Sequence, residues 1–310
     1  MARYVTSKFL YTLLSLFILI TATFFLMKAI PGDPFMSEKE VPAPIRARLE
    51  AQYGLDKPEI VQYVNYLGNI LQGDLGISMK KLNQDVGHII GQTFGVSLRL
   101  GLVAVVVSVI VGVGLGLLAA LYHRKLIDNV TMVLAVLGMS VPSFVLASLL
   151  QYLLAFRLDL FHVTGLKGPL DYVLPVAALS AQPIAFIARL TRSSMLEVLH
   201  ADYVKTAKAK GLKWPAILWK HVIRNGILPI VTYVGPMTAN VITGSVVVER
   251  IFGIGGIGKV YVDSINNRDY TLIMGITLFY GIILMAARFI TDIVYVLVDP
   301  RIKLTSGKEG

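Results

Sequence analysis

Residues 201–228 read ADYVKTAKAKGLKWPAILWKHVIRNGIL, and Pro229 closes the stretch. The segment is basic, favours helix, and stands between two long apolar runs, residues 172–190 before it and 227–248 after it. Basic connections between membrane-spanning runs mark the cytoplasmic side, so the stretch is expected to face the cytoplasm. Asp202 is placed to cap the start of a helix. Val204, Ala207 and Gly211 then fall at i, i+3 and i+7, a narrow stripe of small residues suited to lying in a groove, while Lys205 and Lys208 point to a different side. Gly211 suits a left-handed helix end, and Pro215 suits the first turn of a second short helix. Two short helices joined by a tight corner make a rigid knob. The alternative is an ordinary basic loop lying on anionic headgroups, and these features alone do not separate the two.

The rest of the chain places this segment in a membrane. Of its 310 residues, 55% are hydrophobic and 15% charged, with a mean hydropathy of +0.69. Soluble domains carry about 25% charged residues. The formal charge of +10 would suggest nucleic acid in a soluble protein. Here the basic residues sit between runs of spanning length, so topology accounts for them and no nucleic acid is expected. The absence of cysteine excludes disulfides, thiolate nucleophiles and cysteine metal sites. The first apolar run, residues 9–27, exceeds the ~7–15 residue core of a signal peptide and no small-residue cleavage site follows, so it reads as a retained span.

Six spans of about 20 residues are expected. The reading is a cytoplasmic N-terminus at 1–8, a first transmembrane helix at 9–30 and an extracytoplasmic loop region at 31–99. A five-helix core at 100–298 includes a cytoplasmic loop at 191–226, and a cytoplasmic tail covers 299–310. Pro31-Gly32-Asp33-Pro34 stops the first span, because two prolines and a glycine interrupt helix. The long loop is expected to carry short helices on the outer surface. The second span (100–122) holds Gly112, Gly114 and Gly116 for close helix contact. The third (130–156) contains Pro142, which should kink it. The fourth (172–190) contains Pro175 and Pro183, the fifth is 227–248 and the sixth 271–298. Lys and Arg concentrate in the short inner segments, including eight between Arg189 and Arg224, and both termini are then cytoplasmic.

The 202–212 segment, Asp202-Tyr203-Val204-Lys205-Thr206-Ala207-Lys208-Ala209-Lys210-Gly211-Leu212, resembles the "EAA" loop of ABC-importer permeases in its peptide-permease form. Other matches are Pro31-Gly32-Asp33-Pro34, Tyr53-Gly54-Leu55-Asp56-Lys57-Pro58, Gly73-Asp74-Leu75-Gly76 with Ser78, residues 249–258, and Asn267-Arg268-Asp269-Tyr270. Together they resemble the oligopeptide/dipeptide/nickel group of ABC-importer permeases, in the B-subunit type with its long first outer loop. Two departures stand out: Ala201-Asp202-Tyr203 replaces the generic Glu-Ala-Ala, and Gly255 stands where relatives often have proline. The resemblance implies an all-α type I importer permease in the bacterial cytoplasmic membrane, importing peptides, with nickel or another chelated solute as the alternative. It implies a second homologous permease, two ABC ATPase subunits carrying ATP and Mg, and an extracytoplasmic binding protein as partners. Residues 201–212 would dock on the ATPase. Gly211 would matter because a side chain clashes at the corner, and Ala207 because a larger residue would not fit the ATPase cleft. No G-x-x-x-x-G-K-[ST] occurs, so ATP hydrolysis belongs to another polypeptide and this chain is not an enzyme.

Ser140, Ser143, Gln151, Gln182, Thr238 and Asn240 are uncharged polar residues within the spans that could line an aqueous path or bond between helices. Arg288 and Asp292 stand four apart in the last span, where they could pair. The five histidines are scattered without metal-ligand spacing, and Gly253–Gly258 reads as a turn rather than a dinucleotide fingerprint. A self-contained secondary transporter would show internal repeats and midplane charges. Neither is evident.

Overall fold

The computed structural model describes residues 2–30, 35, 42–81, 83–243 and 245–298. The Pro31-Gly32-Asp33-Pro34 stop and the 299–310 tail lie outside the described residues. Among the described residues the only extended pairing is an isolated antiparallel bridge between Ile77 and Asp85. Helices α1 (Ala2–Ala29), α2 (Ala43–Gln52), α3 (Glu59–Leu71) and α4 (Val86–Leu121) are followed by α5 (Leu126–Ser140) and α6 (Ser143–Leu150). A π-helical turn (Gln151–Arg157) and a 3-10 turn (Pro169–Tyr172) lead to α7 (Val173–His200). Then come α8 (Asp202–Ala209), α9 (Trp214–Ile217), a second π-helical turn (Leu218–Ile223) and α10 (Arg224–Gly226). The described chain closes with α11 (Leu228–Thr243), α12 (Val246–Ile251), α13 (Ile257–Asn266) and α14 (Tyr270–Val298).

Among the described residues, five helical stretches are long and apolar enough to cross a membrane: Val5–Ala29, Val86–Leu121, Pro169–His200, Leu228–Ile251 and Tyr270–Ile293. A sixth crossing arises if Leu126–Ser140 and Ser143–Arg157 count as one, and that pair is bent by 100°. The expected third span is therefore broken, not merely kinked. Pro142 lacks an N–H and disfavours helix at the residue before it. Val141 accordingly sits at φ −89°, ψ 119°, and Pro142 becomes the residue from which α6 starts.

Two expected boundaries move because helix continues past the apolar run. The second span begins at Val86 rather than 100, with Asp85 capping it: its Oδ1 accepts the His88 N–H at 2.9 Å. The fourth continues to His200, so Arg192 and Glu197 stand on helix rather than in a loop. Pro183 is inside that helix, whereas Pro175 falls in its first turn, where a missing N–H costs nothing.

The chain divides into two compact units. One comprises Met1–Val96 and Gly255–Met285. Its core joins Val86, Ile89 and Ile90 of α4 to Ile257 of α13 and Leu272 and Ile276 of α14. Here the widely spaced motifs meet. Buried Ser78 hydrogen-bonds the Asp269 carboxylate, which also accepts the Met79 N–H at 3.0 Å, and the Tyr53 hydroxyl donates to the Ser78 carbonyl at 2.9 Å. Burial, and then the Asp269 charge, pushes the Tyr53 phenol above its usual range. Helix α3 lays Tyr63 and Tyr66 against Phe24 of α1, with ring centroids 5.3 and 5.7 Å away.

The other unit, Ser97–Ile254 and Ala286–Gly310, holds the helices that carry the site. Helices cross closely where glycine permits it. A Cβ on Gly112 would meet Ile187 Cβ at 2.7 Å, and one on Gly116 would meet the Ala188 carbonyl oxygen at 2.4 Å. A Cβ built on Gly114 meets nothing within 4 Å, so that position makes no close helix crossing within this chain.

Candidate functional site

The basic segment folds as the expected pair of short helices, with its faces assigned differently. Ala201, not Asp202, is the residue flanking α8, and its backbone carries no side-chain cap. Asp202 stands in the first turn, where its charge suits the helix dipole. It accepts from Lys205 Nζ at 2.9 Å, which holds its carboxyl below the usual range. Helix α8 ends in a Schellman arrangement: the Gly211 N–H donates to the Lys208 carbonyl at 2.9 Å and the Leu212 N–H to the Ala207 carbonyl at 3.3 Å. Gly211 has φ +77°, the left-handed conformation this motif requires. A Cβ there meets nothing within 4 Å in this chain, so within the chain itself the requirement for glycine is conformational. Pro215 lies in the first turn of α9, and Lys208 Nζ stands 5.3 Å above the Trp214 ring, bridging the two helices.

Val204 and Ala207 are buried in their own chain, at 0% and 5% exposure, beside Ala120, Met195, Ile217 and Val222. Val204 and Ala207 thus seat α8 on the ends of α4 and α7, and of the expected stripe Gly211 alone is exposed. The outward face carries Asp202, Tyr203, Lys205, Thr206, Lys208, Ala209, Lys210, Gly211 and Leu212. Gly226 locks the far end of the segment. A Cβ there would lie 2.5 Å from Met195 Sδ, and the Gly226 carbonyl accepts from the Ser194 hydroxyl at 2.8 Å.

Of the six polar span residues, three line one open cavity of about 410 Å³ between α5, α6, α7 and α11: Ser143, Gln182 and Asn240. Met139, Phe186, Tyr233 and Met237 share its wall, and the Phe186 and Tyr233 rings stack 4.2 Å apart. The other three are used locally. Ser140 and Thr238 donate to carbonyls one turn back in their own helices, at 2.8 and 2.7 Å. Gln151 Nε2 donates to the Val163 and Ile251 carbonyls, both at 2.8 Å, tying the chain after α6 to the end of α12. Sequence reading missed the aromatic and methionine part of the wall, because large apolar residues inside a span look like lipid-facing ones until the helices are packed. Among the described residues no group of three or more His, Asp or Glu side chains could hold a metal ion.

Residues 1–110 match the family model described as the N-terminal part of a binding-protein-dependent transport system membrane component. Residues 112–304 match that of the binding-protein-dependent transport system inner membrane component. The chain is 47% identical over 304 residues to the dipeptide transport system permease protein DppB of Bacillus subtilis, covering 98% of this chain and 99% of that one. It is 41% identical over 305 residues to the oligopeptide transport system permease protein OppB of Haemophilus influenzae, covering 98% and 100%. Among solved structures, an amino acid ABC transporter crystallised with histidines matches with a TM-score of 0.55 at 17% identity, over 67% of this chain and 93% of that one. That likeness speaks for the fold alone. The family matches cover nearly the whole length, and the chain belongs to the binding-protein-dependent transport system inner membrane components.

Proposed function

We propose that the chain is a transmembrane permease subunit of an ATP-driven importer of dipeptides or oligopeptides, set in the cytoplasmic membrane with both termini inside. The observation that carries this reading is the likeness, over nearly the full length of both chains, to permeases of dipeptide and oligopeptide transport. The partners are a second homologous permease, two ATPase subunits that bind ATP and Mg, and an extracytoplasmic binding protein that delivers the peptide. The knob is the docking element. Its exposed face offers Tyr203, Lys205, Lys208, Leu212 and Trp214 to the ATPase, while Val204 and Ala207 fasten it to the spans. Closure of the ATPase pair would pull the knob and reorient the helices as rigid bodies, the hinge-and-shear form of alternating access.

The path runs along the cavity with Ser143, Gln182 and Asn240. Their hydroxyl and amide groups can meet a peptide backbone in either hydrogen-bonding sense. The Met, Phe and Tyr wall accepts varied side chains without selecting one strongly. The test is purification of the tagged chain from its native membrane in mild detergent, beside a Gly211→Arg variant. A P-loop ATPase and a second permease are expected with the wild type, and the variant is expected to lose the ATPase and keep the permease. A chain that emerges alone and transports without ATP overturns the reading.

A further inference from the structure

The first turn of α5 holds a carboxylate that the function above does not use. Asp128 is 1% exposed, and its two oxygens are gripped by one guanidinium: Arg192 Nε donates to Oδ1 and Arg192 Nη2 to Oδ2, the latter at 2.8 Å. Oδ2 also accepts the Arg124 N–H at 2.9 Å and lies 3.0 Å from His123 Nδ1. Arg124 has φ +63°, which turns the short α4–α5 connection so that its amide reaches the carboxylate. Paired two-point Arg–carboxylate contacts fix orientation as well as distance. Breaking one member of a buried pair leaves an uncompensated charge.

The position of this pair links two parts of the same unit. Arg192 stands on α7 three residues before Met195, which shares one buried cluster with Val204 and Ala207 of the knob. Asp128 begins a stripe on α5 that continues through buried Thr131 and Ala135. Gly138 extends the stripe, since a Cβ there would sit 3.2 Å from Ala185 Cβ of α7. Three turns beyond Asp128, roughly 16 Å along the helix, the same face reaches Met139 in the cavity wall, and Ser143 opens α6 just after the bend. The Asp128–Arg192 pair fastens α5 to α7 at the knob end, and the cavity lies at the other.

We propose that Asp128 and Arg192 are positioning residues for energy coupling, a clamp that makes α5 follow α7 when the knob moves and so carries the motion to the cavity. The proposal rests on the importer reading, and the test separates the two. The readouts, in the assembled complex reconstituted with its ATPase partners, are peptide taken up and ATP hydrolysed. Asp128→Asn/Arg192→Gln removes both charges together, so no buried charge is stranded. It is expected to assemble at wild-type yield and hydrolyse ATP, with uptake per ATP lowered about tenfold, inside the usual range of coupling between sites. Because the chain has no cysteine, an Asp128→Cys/Arg192→Cys variant can be bridged by a short bifunctional thiol reagent. The unbridged form is expected to be uncoupled and the bridged form to regain uptake per ATP.

A merely structural role would lower uptake and hydrolysis in proportion, and bridging would not restore their ratio. That result overturns the clamp, as does an unchanged ratio in the neutral double variant or failure of both variants to assemble. If the wild-type complex itself shows no ATP-dependent peptide uptake, the importer reading fails instead.

Discussion

Gly211 shows how one residue's requirement is read from geometry. Its φ of +77° closes α8, and open space surrounds a Cβ built there. The penalty for a side chain is therefore the left-handed backbone itself, roughly 1–2 kcal/mol for an ordinary L residue, smaller for asparagine and larger for a β-branched side chain. Gly211→Asn is expected to keep the corner and Gly211→Val to loosen it. Trypsin can report this in the purified chain, because Lys208, Lys210 and Lys213 flank the corner. The valine variant should be cut there several-fold faster than wild type, and the asparagine variant at nearly the wild-type rate. Equal cutting of all three would show that the left-handed turn is not what holds the knob. Ala207 is the converse case, with ordinary helical backbone but little room, since it is packed among Ala120, Met195 and Ile217.

At the scale of elements, apolar runs made the spans legible, because lipid demands about 20 apolar residues whatever the tertiary fold. Helix ends were less legible, since a run of apolar residues records contact with lipid and not where hydrogen bonding stops. Residues 86–99 and 191–200 continue the helices beyond the apolar runs from which the spans were read, so their ends could not be placed from hydropathy. The stripe Val204–Ala207 was legible as a face, but which way it turned was not. A small-residue stripe fits a neighbour's groove and its own chain's core equally well, and only packing on Met195 decides. The same limit applied at Pro142, where sequence predicts an interruption but not its angle. The observed 100° bend makes a measurable difference. Spin labels on Cys residues at 126 and 157 would lie about 46 Å apart along a continuous helix. Two equal arms at the observed bend bring them to about 30 Å by the same rise per residue. A pulsed dipolar distance near the shorter value is expected, and one near the longer value would refute the broken span.

For the whole molecule, the decisive question is which polar groups meet the cargo. Residue type alone made Ser140, Ser143, Gln151, Gln182, Thr238 and Asn240 equivalent. The fold divides them, because Ser143, Gln182 and Asn240 share one cavity while the others are bonded within their helices or tie chain segments together. If peptide passes along that cavity, single cysteines at 143, 182 and 240 should react with a small water-soluble thiol reagent in the assembled importer. Bound peptide with ATP turnover arrested should slow that reaction about tenfold, as burial of a site by a ligand does when occupancy is high. Cysteines at 140 and 238 should show no such protection, and the cysteine-free background makes each signal unambiguous. Protection at 238 with none at 182 or 240 would move the path to another face of α11 and sever it from the cavity. Protection at 143, 182 and 240 together would place the peptide against α6, α7 and α11 at once, where movement of α7 by the knob acts directly on the cargo.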